Sequence, residues 1–245
     1  MPVSDFAELI RITIYQHFAA TGRALSVNDL STRVDRSADA VVAALAELSD
    51  AHHLVLDGDR IVLAHPFASR SFRFSVMGPT TLWWGGCAWD AFAIPHLVPN
   101  TSPALIATTC PSCGTAHAWS VTKSDPPAGE QVAHFLVPAA DIWPDAAHAC
   151  ETQQIFCSET CVETWLAHTG NTRGYVMSLT TLWNLAAHWY DGRLETPYER
   201  REPARAADYF RSVGLSGPFW GLPPIPQRAE GRAVEPVAKG SPPSE

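Results

Sequence analysis

At residue 71 the chain changes texture, and that change constrains its fold more than any other feature. Before it, Phe6, Leu9, Ile10, Ile14 and Phe18 recur at helical spacing over residues 5–20, ending at the stop signal Thr21-Gly22. Ser26 and Ser37 precede the segments VNDLSTRV and ADAVVAALAELSDAHHL, where a hydroxyl can cap the first unpaired N–H groups of a helix. The run LVLDGDRIVLAHP then sets an Asp57-Gly58 turn between two apolar stretches, the pattern of a β-hairpin. Three helices and a hairpin predict a winged-helix-like domain over residues 1–70. After residue 71 come short β-like runs, SFRFSVM, ALIATT, AHAWSVT and VAHFLVP, separated by Pro and Gly. Two helical segments follow, CVETWLAHTG, ending near Gly170, and MSLTTLWNLAAHWYDGR, with Leu179, Leu182, Trp183, Ala186 and Trp189 along one stripe. The predicted fold class is therefore α+β, the winged-helix-like three-helix domain being followed over 71–220 by a mixed antiparallel sheet domain with helices. Residues 221–245, rich in Pro and Gly, read as a disordered tail.

A winged helix invites a DNA-binding reading, which the charges oppose. Acidic side chains outnumber basic ones over residues 1–75, and the segment 38–53, where a recognition helix would lie, has no Lys or Arg but carries Asp39, Glu47 and Asp50. The whole chain has a formal net charge of -8, so nucleic acid is not an expected partner. No apolar run approaches the roughly 18 residues of a membrane helix. The start MPVSDFAELIRITIYQHF has Asp5 and Glu8 among its apolar residues and no basic opening, unlike a secretory signal, so a cytoplasmic protein is expected. In that setting the six cysteines, at 87, 110, 113, 150, 157 and 161, read as free thiols or metal ligands rather than disulfides.

The chemistry concentrates around Cys87-Ala-Trp-Asp90, within WWGGCAWDAFAIPHL. Gly85-Gly86 permits close backbone approach, and a cysteine starting a helix gains thiolate character from the unpaired N–H groups and the helix dipole. At i and i+3, Cys87 and Asp90 share a face, so the carboxyl group can exchange a proton with the thiol or with a group bound to it. Two readings stand at this point: a reactive thiol with its proton carrier, or a buried small residue followed by a carboxylate at a helix start.

The run CAWDAFAIPHL, the later Phe156-Cys157 and the preceding helical domain together resemble the alkylmercury lyase family, in order over roughly residues 5–190. The resemblance implies that Cys87 and Cys157 are the two mercury-binding thiols and Asp90 the proton-handling carboxylate. It implies an organomercurial substrate, protonolysis of the carbon–mercury bond, and Hg(II) left on the thiols. It implies no required cofactor, with low-molecular-weight thiols or a mercuric reductase taking the metal onward. Mercury is a soft acid that prefers thiolates, and a second thiolate adds electron density that weakens its bond to carbon. A carboxyl group between two thiolates, with its ionised form disfavoured by like charge and burial, is expected to hold a proton for the leaving carbon. Trp83, Trp84 and Trp89 either wall the organic group or pack a core.

The chain also departs from that pattern. Cys110-Pro-Ser-Cys113-Gly is a knuckle of the kind that holds zinc, and Cys157-x-x-x-Cys161 can supply the other two ligands of a tetrahedral site. In that alternative the protein is a non-catalytic zinc or soft-metal binder and Cys157 is structural; in the other, Cys110, Cys113 and Cys161 are accessory thiols. Cys150 has no evident partner and reads as loop or core packing. The ten histidines form no H-x-x-x-H pair and individually read as ordinary side chains.

Overall fold

The computed structural model describes residues 3–201 and 203–223. Helix α1 (Asp5–Thr21) begins where the Ser4 hydroxyl accepts from the N–H of Ala7, α2 (Val27–Val34) begins with a Ser26–Asp29 capping box, and α3 (Ala38–Asp50) is capped by Ser37. Strands β1 (Val55–Asp57) and β2 (Arg60–Ala64) pair antiparallel across the Asp-Gly turn. The order of three helices and a hairpin is the expected one. The hairpin does not close off a separate unit, however. Strand β3 (Phe67–Ala68) pairs with both β2 and β5 (Leu82–Gly85), and β4 (Phe74–Met77), β6 (Ala104–Thr109) and β7 (Ala116–Val121) complete one seven-stranded sheet, in the order β1-β2-β3-β5-β4-β6-β7. Hydrogen bonding thus runs straight across residue 70.

Between β5 and β6 lies α4 (Ala88–Leu97), buried from Ala88 to Pro95 on every side, the pattern of a central rather than a surface helix. A second, three-stranded sheet has the order β10-β8-β9, made of β8 (Val132–Phe135), β9 (Gln153–Phe156) and β10 (Tyr175–Ser178). Around it are α5 (Ala146–Glu151), α6 (Glu159–Thr169), α7 (Leu179–Ala187) and α8 (Pro203–Ser212). Every strand pairing is antiparallel, so the described residues form an α+β fold.

One large hydrophobic core runs from Ala7 to Leu222, and a small satellite core of Cys110, Phe156, Val162 and Leu166 sits beside it. Strands β3, β5, β9 and β10 and two α-helices have no counterpart in the sequence reading. The short α5 has too few turns to show a period, and α8 carries its apolar face on a strongly polar background. Leu222, in the segment read as a tail, is buried; residues 224–245 lie outside the described residues. Among the described residues no helix is long and apolar enough to cross a membrane.

Candidate active site

Strand β5 delivers the chain to Cys87 through Gly86, where a side chain is excluded: a Cβ would lie 2.5 Å from Asp90 Oδ2. Cys87 is the N-cap of α4, its Sγ accepting from the N–H of Asp90 at 3.4 Å. Thiol and carboxylate therefore start the helix together, as the i, i+3 spacing predicts, and both are buried.

Three further side chains converge on this pair. His65, in the bend after β2, places Nδ1 2.9 Å from Asp90 Oδ2, and the Tyr190 hydroxyl donates to Asp90 Oδ1 at 2.5 Å. Cys150, near the end of α5, lies 3.9 Å from His65 Nδ1 and within hydrogen-bonding reach of Cys87. The ligand atoms of His65, Asp90 and Cys150 all fall within 4.8 Å of one another. Behind Tyr190 the guanidinium of Arg193 lies over its ring at 5.0 Å and donates to the Tyr15 hydroxyl, tying the site to α1. On the other side Trp143 meets His65 edge-on, with ring centroids 5.8 Å apart, and stacks on His52.

The two sulfurs are shifted in opposite directions. Burial pushes the Cys87 thiol well up, and donating a hydrogen bond to Cys150 and facing Asp90 push it further. Cys150 moves down because it accepts that hydrogen bond, and the charge of His65 adds to the effect against the cost of burial. Burial alone would lower His65, but the charges of Asp90 and Cys150 override it and raise the imidazole to about 10. The two thiols are thus shifted in opposite directions, beside an imidazolium and an Asp90 side chain whose two oxygens each meet a separate donor.

Cys157 is not in this cluster. It lies 3.4 Å from Cys113 Sγ and 3.5 Å from His117 Nε2, in a second group where Cys110, Cys113, Cys157 and Cys161 hold all four sulfurs within 4.8 Å. The structure therefore does not bring the expected Cys157 to Cys87; the thiol beside Cys87 is Cys150. The reason is β9: its four residues, at about 3.3 Å each, put some 13 Å between the end that follows Cys150 and the end that precedes Cys157. In the second group, hydrogen bonds led by Thr115 lower Cys113 to about 6, whereas burial, followed by hydrogen bonding to Cys113, pushes Cys157 up to about 12. Of the three tryptophans, Trp83 donates to the carbonyl of Phe18, and Trp89 packs against Phe135, Trp189, Phe210 and Trp220, as core residues do. His65, Cys150, Tyr190 and Trp143 carry no local signal: Cys150 has no partner at a recognisable spacing, and His65 has no second histidine at ligand spacing.

The alkylmercury lyase (MerB) family matches residues 67–191, just over half of the chain. This chain belongs to the alkylmercury lyase family. The matched stretch contains Cys87, Asp90, Cys150 and Tyr190 and begins two residues after His65. A solved structure described as the mercury-bound form of MerB2 superposes with a TM-score of 0.62 at 16% identity, covering 79% of this chain and 93% of that one, and so shares the fold. None of the curated proteins matches the chain in sequence. Membership makes the protein an enzyme of the alkylmercury lyase class, and the buried sulfur–carboxylate cluster is its candidate centre.

Proposed function

We propose that the protein cleaves the carbon–mercury bond of organomercurials by protonolysis, with Cys87 and Cys150 binding mercury and Asp90 moving the proton. The observation that carries this reading is the buried convergence of two thiols on one carboxylate whose oxygens are each held by a separate donor. The Cys150 thiolate displaces the ligand X⁻ from R–Hg–X. As the Cys87 sulfur closes on the metal, its proton passes to Asp90, and from Asp90 to the carbon as the carbon–mercury bond breaks. RH and X⁻ leave, and Hg(II) remains on two thiolates. Charge and protons balance with the single proton of the Cys87–Cys150 pair, so the step calls for no separate cofactor. Two thiolates suit a soft metal, and the second raises electron density on the carbon that takes the proton.

His65 and Tyr190 are positioning residues: they fix the Asp90 oxygens, and the imidazolium stabilises the Cys150 thiolate. The side chains are almost fully covered, so entry of substrate requires neighbouring groups to move, and Trp143 on the outer side of His65 is the aromatic group placed to do so. The mercury-bound form of the structural relative supports mercury as cargo. Small thiols or a mercuric reductase would accept Hg(II), and a cytoplasmic setting would keep the cysteines reduced. The helices and hairpin of residues 1–70, read as winged-helix-like, support the 71–220 region by supplying His65 and bracing Arg193 through Tyr15, rather than by binding DNA.

Hydrocarbon release from methylmercury and phenylmercury in excess thiol tests the reading. Native protein turns over; Cys87→Ser and Cys150→Ser, folded by circular dichroism, do not, and Asp90→Ala loses about 10²–10⁴-fold in kcat. Full turnover by Cys150→Ser would remove Cys150 from the mechanism.

A further inference from the structure

The sulfurs of Cys110, Cys113, Cys157 and Cys161 take no part in that chemistry, yet all four lie within 4.8 Å of one another. A tetrahedral zinc with bonds of about 2.3 Å needs sulfurs about 3.8 Å apart. Cys113 lies 3.4 Å from Cys157 and 4.0 Å from Cys161, on either side of that value and far from the roughly 2.05 Å of a disulfide.

Each half of the group is built by local structure. Cys110 and Cys113 occupy the turn between β6 and β7. There the Cys110 N–H donates to the carbonyl of Thr115 and the Gly114 N–H to the carbonyl of Cys110, with Gly114 at φ +74°, a left-handed conformation that glycine adopts without strain. Cys157 leaves β9, Ser158 caps α6, and Cys161 sits in its first turn, where the helix dipole favours thiolates. All four cysteines are free thiols, and an all-sulfur set selects a soft or borderline metal over magnesium or calcium. The satellite core beside them has four buried residues, Cys110 among them, with Cys157 and Cys161 packed partly buried against it, so the four sulfurs sit at its edge.

We propose that these four cysteines form a closed structural zinc site that staples the β6–β7 hairpin of the seven-stranded sheet to β9 and α6 beside the three-stranded sheet. The metal fixes one end of β9 while Cys150 stands before the other end, so it braces the candidate active site without touching substrate. A filled four-sulfur shell leaves no open position for a reactant.

Metal analysis of the full chain, expressed with zinc and purified under reducing conditions, tests the site separately from lyase activity. The expected result is one zinc per chain in the native protein and in Cys87→Ser/Cys150→Ser, and none in Cys113→Ser/Cys161→Ser. Should the last variant fail to fold, native protein reconstituted with Co(II) gives the same answer: the visible bands and sulfur-to-metal charge transfer of tetrahedral tetrathiolate cobalt. Native protein without stoichiometric zinc even after resupply, a cobalt spectrum without thiolate charge transfer, or zinc that follows Cys87 and Cys150 would each overturn the proposal.

Discussion

The two cysteine groups differ in what surrounds the sulfur, and the difference separates reactivity from support. Around Cys87 and Cys150 stand a carboxylate, an imidazole and a phenol, all buried, so a metal held there shares its pocket with a group that can carry a proton. Around Cys113 and Cys157 stand two more sulfurs and the His117 imidazole, with no carboxylate in the group among the described residues, at the junction of two sheets and partly open to solvent. Two soft ligands leave a metal unsaturated and reactive; four close its coordination shell. Ligand number and the neighbouring proton carrier distinguish the groups, since the thiol chemistry is common to both.

The largest effect that can break this comparison is on turnover. Cys150→Ser should lose measurable hydrocarbon release while keeping its zinc and its melting temperature to within a few degrees. Cys161→Ser should lose zinc, with the fraction that remains folded at low temperature keeping activity per folded molecule. The reverse pattern would interchange the roles of the groups and return Cys157 to the reaction.

A smaller but still large effect is expected on stability when zinc is stripped by a strong chelator under reducing conditions. Metal binding that couples to folding contributes several kcal/mol, and a chain of this size shifts by about 2–4 °C per kcal/mol, so Tm should fall by roughly 10 °C or more. An unchanged Tm, measured by calorimetry, would leave the join between the sheets to apolar packing alone.

The smallest effect concerns His65, whose pKa is raised to about 10 in the folded chain from about 6.5 when unfolded. Between these values the folded protein keeps a proton that the unfolded chain releases. Its contribution is therefore complete below about pH 6.5 and is lost as pH rises through about 10. Urea titrations of native protein and His65→Gln should converge across that window. His53, buried and lowered to about 3, acts on the opposite side: its contribution is present above about 6.5 and is lost as pH falls toward 3, and it should persist in His65→Gln. A constant gap between native protein and His65→Gln from pH 6 to 10 would show that the imidazolium is not what holds Asp90.

Much of the fold was legible locally. Ser26 and Ser37 cap helices because a hydroxyl before an amphipathic run has N–H groups to satisfy, and the Asp57-Gly58 turn closes the hairpin between two apolar strands. Half of the candidate centre was legible for the same reason: Cys87 and Asp90 are three residues apart on one helix, and helical geometry alone brings them together. The knuckle Cys110-x-x-Cys113 and the Cys157–Cys161 pair were visible as two halves whose joining remained open. The division at residue 70 had no such local support, because strand pairing between β3 and β5 is a long-range event.

By itself, then, the sequence determined which side chains stand next to each other along one helix, strand or turn, since backbone periodicity reaches only a few residues. The tertiary structure decided which distant thiol meets Cys87. Cys150 and Cys157 are seven residues apart and chemically identical, and the helix α5, the strand β9 and their packing send one to the carboxylate and the other to three sulfurs. Spacing along the chain carries no record of that choice, because it is set by where the two sheets pack and not by any property of the residues between them.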